Sequence, residues 1–379
     1  MHIVVISRSY PNRLNPSSGN FVLSQVEALA RHEVKIGVVG VYNVSLKEAL
    51  KQGNINKYGF YKETKANVIN YSYLYPVIPK QHYLNHRIKF RIWKKLFKKY
   101  IAEHGKPDII HLHTFEAGPV VMWAKEEYGI PYIVTEHTSL FLTGKALDWH
   151  YKLAEKVYRN SELNISVSKA AMKDLMQRFN QEFIYLPNFV DTSKFQMKSS
   201  TNNGNHVFTN IAFLSKNKNQ HLLIHAFHQA FRNDPKYKLR IIGNGPEYAH
   251  LKNEITKLDN SNIELQGYLP QQEIIKQLQS SDYFVLSSNH ETFGVVIIEA
   301  MSCGLPVLST ACGGPESIII NEKLGLLSPV GDTKSFAQAL SKLCATTFDH
   351  AYIRDYAVNN YSFEVLSKKL LDIYKELLQ

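Results

Sequence analysis

The sequence lacks most of the features that would tie it to an oxidising compartment or place it inside a bilayer. It contains three cysteines, Cys303, Cys312 and Cys344, in 379 residues. An odd number with no C-x-x-C spacing supports neither a disulfide framework nor a thiolate metal centre, so they read as reduced core thiols. No apolar run approaches a membrane span. The opening stretch, MHIVVISRSY, is too short in its apolar part for a signal peptide and carries no cleavage signature. A cytoplasmic location is expected. Low-complexity tracts are missing too, and at 44% hydrophobic and 20% charged the composition is that of a globular chain of about two domains.

Acidic residues are scarce in one half only. Residues 1–190 hold 26 Lys+Arg against 15 Asp+Glu, a net of 26−15=+11. The remaining residues hold 44−26=18 basic and 33−15=18 acidic side chains, a net of zero. The whole excess therefore belongs to the first half, which suggests two domains with different partners, one of them anionic. The densest stretch is KQHYLNHRIKFRIWKKLFKKY (80–100), with Lys80, Arg87, Lys89, Arg91, Lys94, Lys95, Lys98 and Lys99 and no acid. Its apolar residues Ile88, Ile92, Leu96 and Tyr100 recur every four positions, so the stripe itself reads as a core-facing helix face. The surplus of cations points to an anionic membrane surface.

What is present is one unit repeated. Short β-branched runs, HIVVIS (2–7), VKIGVVG (34–40), DIIHLH (108–113), YIVTEH (132–137), LNISVS (163–168) and FIYLPN (183–188), are mostly separated by helix-length segments. After the linker-like KSSTNNGNH (198–206) the pattern restarts with VFTNIAFL, LRIIG, IELQGY, YFVLSS, PVLST and GLLSP. Continuous apolar strands alternating with helices predict parallel sheets covered on both faces. The expected architecture is α/β: two doubly wound Rossmann-like domains, 1–190 and 191–360, with a C-terminal helix over 361–379 that crosses back to the first domain. Open sheets of this kind bind ligands at the carboxyl ends of their strands, so a cleft between the domains is the default site.

The richest stretch is HETFGVVIIEAMSCGLPVLSTACGGPES (290–317). Glu291 lies in the loop after one strand, and Glu299 about one and a half turns inside the following helix. Free amides near Gly294 favour an anion such as a diphosphate. A carboxylate beside that site is tolerable if it accepts from sugar or ribose hydroxyls. Read alone, Glu291 is first of all a helix-start carboxylate favoured by the dipole. Glu299 interrupts an apolar face.

The Glu-x7-Glu pattern and the residues after it resemble the signature of glycosyltransferase family 4, whose members are retaining enzymes of the GT-B fold. Further segments in the family's order support this: PSSGNFVLSQVEAL, PDIIHLHT, YIVTEHTS, ISVSKAA, YLPNFVDTSKF, LRIIGNGPE and LQGYLP. The resemblance implies an acceptor-binding first domain and a nucleotide-sugar-binding second domain. It implies that Glu291 meets hydroxyls of the donor sugar and Glu299 the ribose. Phe293, Gly294 and Val295 would offer backbone amides, Gly19 would let backbone approach the donor phosphates, Gly243 is a further donor-binding residue, and Tyr268 would lie where backbone meets the base. His137 would sit beside the reacting carbon, and Lys218 would neutralise the leaving diphosphate. His137, Lys218 and Glu291 are thus the candidate catalytic residues.

One departure stands out. Where the family carries Gly-Arg-Leu before that lysine, this chain reads AFLSKNKNQ: Phe213 replaces the phosphate-binding arginine and Asn219 a usual glycine. Lys216 is a candidate substitute or an ordinary loop lysine. His111, His113 and His137 raise a zinc reading, because His-x-His on a strand points both rings one way. Beyond Glu116 and Glu136 no carboxylate joins them, and no metal or other cofactor is expected. Nor does the chain contain an Asp-x-Asp, the motif with which the other large glycosyltransferase fold holds its ion.

The resemblance implies transfer of a hexosyl residue from a nucleotide diphosphate sugar, most commonly UDP-linked in the family, to a glycan or lipid-linked acceptor in cell-surface polysaccharide assembly. Nucleic acid is not an expected partner. Two alternatives remain open: a GT-B-fold sugar-nucleotide epimerase or phosphorylase, and a non-catalytic nucleotide-sugar-binding module.

Overall fold

The computed structural model describes residues 1–45, 58–79, 82–197 and 204–379. Lys80 of the basic stretch and most of the linker-like segment (198–203) lie outside the described residues. The chain divides into two compact units. The first comprises Met1–Val167, Met172–Phe189 and Leu366–Gln379; the second comprises Ser168–Ala171 and Val190–Val365.

In the first unit, eight strands form one sheet in the order β3-β4-β2-β1-β5-β6-β7-β8. They are β1 (His2–Ser7), β2 (Lys35–Ser45), β3 (Gly59–Lys65), β4 (Val68–Val77), β5 (Ile109–His113), β6 (Tyr132–Glu136), β7 (Leu163–Ser166) and β8 (Ile184–Tyr185). All pairings are parallel except β3 with β4. Every residue of β1 is buried, as a central strand covered on both faces requires. The pair β3–β4 was not anticipated, because β3 (GFYKETK) is largely exposed and too polar to register as an apolar run. Helices α1 (Asn20–Leu29), α2 (His82–His104), α3 (Gly118–Tyr128), α4 (Asp148–Asn160) and α5 (Lys169–Phe179) accompany these strands.

Helix α2 is the basic stretch. Trp93, Leu96, Phe97 and Tyr100 are buried in the core, beneath the sheet residues Tyr71 and Val39. Tyr100 meets Tyr71 edge-on at 5.3 Å, and its hydroxyl lies 2.8 Å from His2 Nε2. The apolar stripe is therefore spent on the core. The cations are divided: Lys95, Lys98 and Lys99 are exposed, while Lys94 lies 4.4 Å from the centre of the Trp123 ring. Among the described residues, no helix is long and apolar enough to cross a membrane.

In the second unit, six parallel strands are ordered β11-β10-β9-β12-β13-β14. They are β9 (His206–Ile211), β10 (Tyr237–Ile242), β11 (Ile263–Gly267), β12 (Tyr283–Leu286), β13 (Val307–Thr310) and β14 (Gly325–Ser328). Helices α6 (Gln220–Phe231), α7 (Tyr248–Leu258), α8 (Gln271–Gln279), α9 (Val295–Ser302), α10 (Thr333–Ala345) and α11 (His350–Tyr361) follow, while α12 (Phe363–Leu377), from Leu366 onward, belongs to the first unit. Leu223, Phe227, Phe336 and Leu340 of α6 and α10 pack on Phe208, Leu239 and Val285 of the sheet. Both sheets reverse their winding once: at β1, with β2 on one side and β5 on the other, and at β9, with β10 on one side and β12 on the other. Loops diverge at such a point and leave a crevice at the strands' carboxyl ends.

Candidate active site

The switch point of the second unit is built from two loops tied together. One runs from β9 to α6 and carries Lys218; the other runs from β12 to α9 and carries Glu291. Asn289 N–H donates to the Asn217 carbonyl at 2.7 Å, and Asn289 Nδ2 to the Lys216 carbonyl at 3.1 Å. Asn217 Nδ2 donates to the His290 carbonyl at 2.9 Å, Asn219 Nδ2 to Asn289 Oδ1 at 3.1 Å, and Ser287 Oγ to the Lys218 carbonyl at 2.9 Å. This asparagine latch was not foreseen. Its only signal in the sequence is the run of polar residues in KNKNQ and SSNHE, which fits any loop.

Across the latch, Lys218 Nζ donates to Glu291 Oε1 at 2.5 Å, and Ser288 Oγ donates to the same oxygen at 2.6 Å. A third loop holds the Glu291 backbone: its N–H donates to the Cys312 carbonyl and its carbonyl accepts from Gly314 N–H. Among the described residues Oε2 of Glu291 has no partner, so one carboxylate oxygen is left to accept from a ligand hydroxyl. Glu291 is thus the partner of a lysine on a neighbouring loop, rather than only a dipole-favoured residue before a helix.

Phe293, Gly294 and Val295 lead into α9, with Gly294 at its N-cap in a left-handed conformation (φ 100°). The first amides of a helix have no partner within it and favour an anion. Glu299 projects from the second turn, half-buried, and has no hydrogen-bond or ion-pair partner among the described residues. Burial pushes its carboxyl up to about 7. An isolated carboxylate held in a desolvated place is poised to accept from hydroxyls.

Two glycines answer to close approach. A Cβ on Gly243, after β10 at φ 146°, would lie 1.9 Å from the Ala212 carbonyl oxygen. One on Gly19, at the N-cap of α1 with φ 66°, would lie 2.2 Å from the Ser9 carbonyl oxygen. Both positions need glycine for their own backbone. Asn219 adopts the left-handed region (φ 48°) and caps α6 by accepting from Leu222 N–H. Asparagine tolerates that conformation better than other residues with a Cβ, which explains how it replaces a glycine here. Phe213 is 63% exposed and Tyr268 68%, after β9 and β11 respectively, and Lys216 is exposed too.

His137 belongs to the first unit, at the end of β6. Its Nε2 lies 2.9 Å from His113 Nδ1, and its ring packs 4.3 Å from that of Phe21. His113 stacks in turn on His111 at 4.4 Å. Gln25 Nε2 reaches His111 Nδ1 at 3.0 Å and His113 Nε2 at 3.5 Å. Tyr374 hydroxyl and Thr135 Oγ1 meet the two nitrogens of His111 at 2.6 and 2.7 Å. Burial lowers the pKa of all three histidines, that of His113 to about 3, so the column is neutral at pH 7. The ring nitrogens of His111 and His113 are taken by protein partners, leaving no set directed at an ion. Glu136, wholly buried, secures the same loop. It accepts from the N–H groups of Phe115, His137 and Thr138 and from Tyr158 hydroxyl, all within 3.1 Å. Burial still pushes its carboxyl up to about 7 against those donors.

Among the described residues, one group has ligand atoms close enough for an ion: His221, His250 and Glu254, within 4.8 Å of one another on α6 and α7. His221 also lies 3.2 Å from Glu247 and hydrogen-bonds Glu254, which pairs in turn with His225 outside the group, so carboxylates already occupy both nitrogens of His221.

Comparison with known proteins decides the family. Residues 191–359 match the model described as glycosyl transferases group 1, and residues 18–194 the model described as glycosyltransferase family 4. The chain belongs to the family 4 glycosyltransferases. It is 29% identical over 268 residues to an uncharacterized glycosyltransferase of Methanocaldococcus jannaschii, covering 69% of this chain and 74% of that protein. The fold is GT-B. Sucrose-phosphate synthase from Thermosynechococcus elongatus superposes with a TM-score of 0.78 at 17% identity, covering 100% of this glycosyltransferase and 99% of that chain. The Anabaena protein HepE, in complex with UDP, gives 0.74 at 18% identity, covering 99% and 100%.

Proposed function

We propose that this glycosyltransferase moves a hexosyl residue from a nucleotide diphosphate sugar, with UDP as the nucleotide, to a glycan or lipid-linked acceptor in cell-surface polysaccharide assembly. The observation that carries the reading is the Lys218–Glu291 pair fixed across the switch point beside the N-terminus of α9. HepE, of like fold, was crystallised with UDP, which supports the choice of nucleotide. The diphosphate would lie at the amides of Phe293, Gly294 and Val295, with the open oxygen of Glu291 on the sugar and Glu299 on the ribose. Gly19 and Gly243 allow backbone to approach, and Tyr268 marks the base.

Negative charge grows on the diphosphate as the glycosidic bond breaks. Lys218 and the helix amides meet it without reorganisation, a preorganised electrostatic contribution. Transfer proceeds with retention by attack on the same face, the leaving phosphate oxygen taking the acceptor's proton. Neutral His137, whose other contacts fix its ring, orients the sugar. No divalent ion is required, because Lys218 supplies the countercharge. The first unit holds the acceptor, and the exposed cations of α2 dock it on the anionic inner face of the cytoplasmic membrane.

A panel of nucleotide diphosphate sugars tested by thermal shift examines the donor reading. At least one should raise Tm through preferential binding to the native state, and the rise should shrink in Glu291→Gln. A panel that leaves Tm unchanged contradicts it. Exposed Phe213 favours one other reading, a module that binds donor without turnover, since the guanidinium grip is absent. Slow donor hydrolysis separates enzyme from binder.

A further inference from the structure

The first unit has a crevice at its own switch point, distinct from the donor-site residues assigned above. It is a pocket of roughly 330 Å³ that includes Arg8 after β1, Glu116 after β5, His86 and Lys89 on α2, and Trp149 and His150 on α4. Arg8 and Glu116 form an ion pair across the two diverging loops. That leaves Lys89 as the pocket's unmatched charge: among the described residues its ammonium makes no hydrogen bond or ion pair. Burial, and next the nearby Arg8 guanidinium, lower its pKa to about 8, with Glu116 compensating only in part. Lys89 is half-buried in the pocket lining, and a partly desolvated ammonium without a partner is costly unless a ligand supplies the anion. Trp149 is 41% exposed, with His86 edge-on at 5.2 Å and His150 tilted against it at 3.7 Å, and an exposed indole of this kind can pack on a sugar face.

We propose that this pocket selects the acceptor, and that the acceptor is a sugar bearing a phosphate group, which Lys89 and Arg8 hold while the sugar ring lies on Trp149. This rests on the glycosyltransferase reading above and names the acceptor's chemical class. Three features favour phosphate over a neutral sugar or a carboxylate. Arg8 has N–H donors beyond the one given to Glu116. Phosphate offers three oxygens, enough to meet the guanidinium and the ammonium together. A neutral ligand would cover Lys89 and leave its charge buried. The basic helix thus has one cation turned to recognition rather than to solvent.

Trp149 is the one exposed tryptophan of three, Trp93 and Trp123 being 2% and 8% exposed, so the change in tryptophan fluorescence on adding a ligand reports on this pocket. Glucose 6-phosphate, geranyl diphosphate-linked glucose and plain glucose are titrated separately into wild type, Lys89→Met and Trp149→Phe, with UDP binding followed by thermal shift in each. Saturable quenching by a phosphorylated probe but not by glucose supports the proposal, provided it weakens about tenfold or more in Lys89→Met and disappears in Trp149→Phe. A response to the soluble probe assigns a free sugar phosphate; a response to the prenyl probe alone assigns a lipid-linked one. Quenching by glucose alike, equal affinity in Lys89→Met, or no response to either phosphorylated probe overturns it. UDP binding is retained in all three proteins if only this inference fails, and is lost in wild type if the donor reading fails.

Discussion

Lys218 and Glu291 neutralise each other across two loops, so replacing either leaves the other's charge uncompensated and removes a contact to the inferred donor. Glu291→Gln and Lys218→Ala should each lower kcat by about 100-fold or more, the usual scale for one preorganised electrostatic contact. Steady-state kinetics at saturating donor checks this, and full turnover in both variants contradicts the assignment. If Glu299 meets the ribose as proposed, the donor's affinity should depend on pH. Its carboxyl, near 7 in the folded protein, lies above the ordinary carboxylate range, so its contribution to stability is complete at low pH and is lost as pH rises toward 7. Hydroxyl donors favour the ionised form, so nucleotide-sugar affinity should rise about tenfold from pH 6 to pH 8. Calorimetric titration should show that rise in wild type and a flat profile in Glu299→Gln. The sequence disclosed both carboxylates, because their spacing straddles a strand-loop-helix junction. It could not disclose that Lys218 and Ser288 both use one oxygen of Glu291, or that Tyr374, far along the chain, touches His111. Such contacts depend on where distant elements come to rest.

At the scale of elements, the strands were legible where burial on both faces made them nearly continuous apolar runs, as in β1 and β12. The antiparallel β3 escaped because its exposed face is charged, and β2 runs on to Ser45, beyond its apolar start. Helix α2 was legible as amphipathic, but the inward turn of Lys89 was not, since helical spacing alone places it among solvated lysines. Two experiments separate the faces of α2. Phe97→Ala, at a fully buried position, should cost about 3–5 kcal/mol in urea unfolding. Changing Lys94, Lys95, Lys98 and Lys99 to Glu should weaken salt-sensitive binding to vesicles of acidic lipid, each cation near such a surface contributing about 1 kcal/mol. Equal sedimentation of wild type with acidic and neutral vesicles would remove the docking surface from the account. The latch is the element that sets the distance from Lys218 to Glu291. Asn289→Ala deletes two of its hydrogen bonds and should reduce kcat more than it reduces Tm.

For the whole molecule, the charge asymmetry seen in the sequence and the division into two units fit the function proposed above, in which a neutral unit would cradle the donor with local dipoles and one lysine and a basic unit would meet anionic acceptors and surfaces. The central claim is that Lys218 and the α9 amides, without a metal ion, stabilise the departing diphosphate on a retaining path. The most direct test is real-time proton NMR of UDP-hexose hydrolysis in EDTA, with an α-linked donor and water as acceptor. UDP release should be seen with the α-hexose appearing first, continuing undiminished in EDTA and about 100-fold slower in Lys218→Ala. The β-anomer appearing first, or hydrolysis abolished by EDTA and restored by added metal, would contradict it.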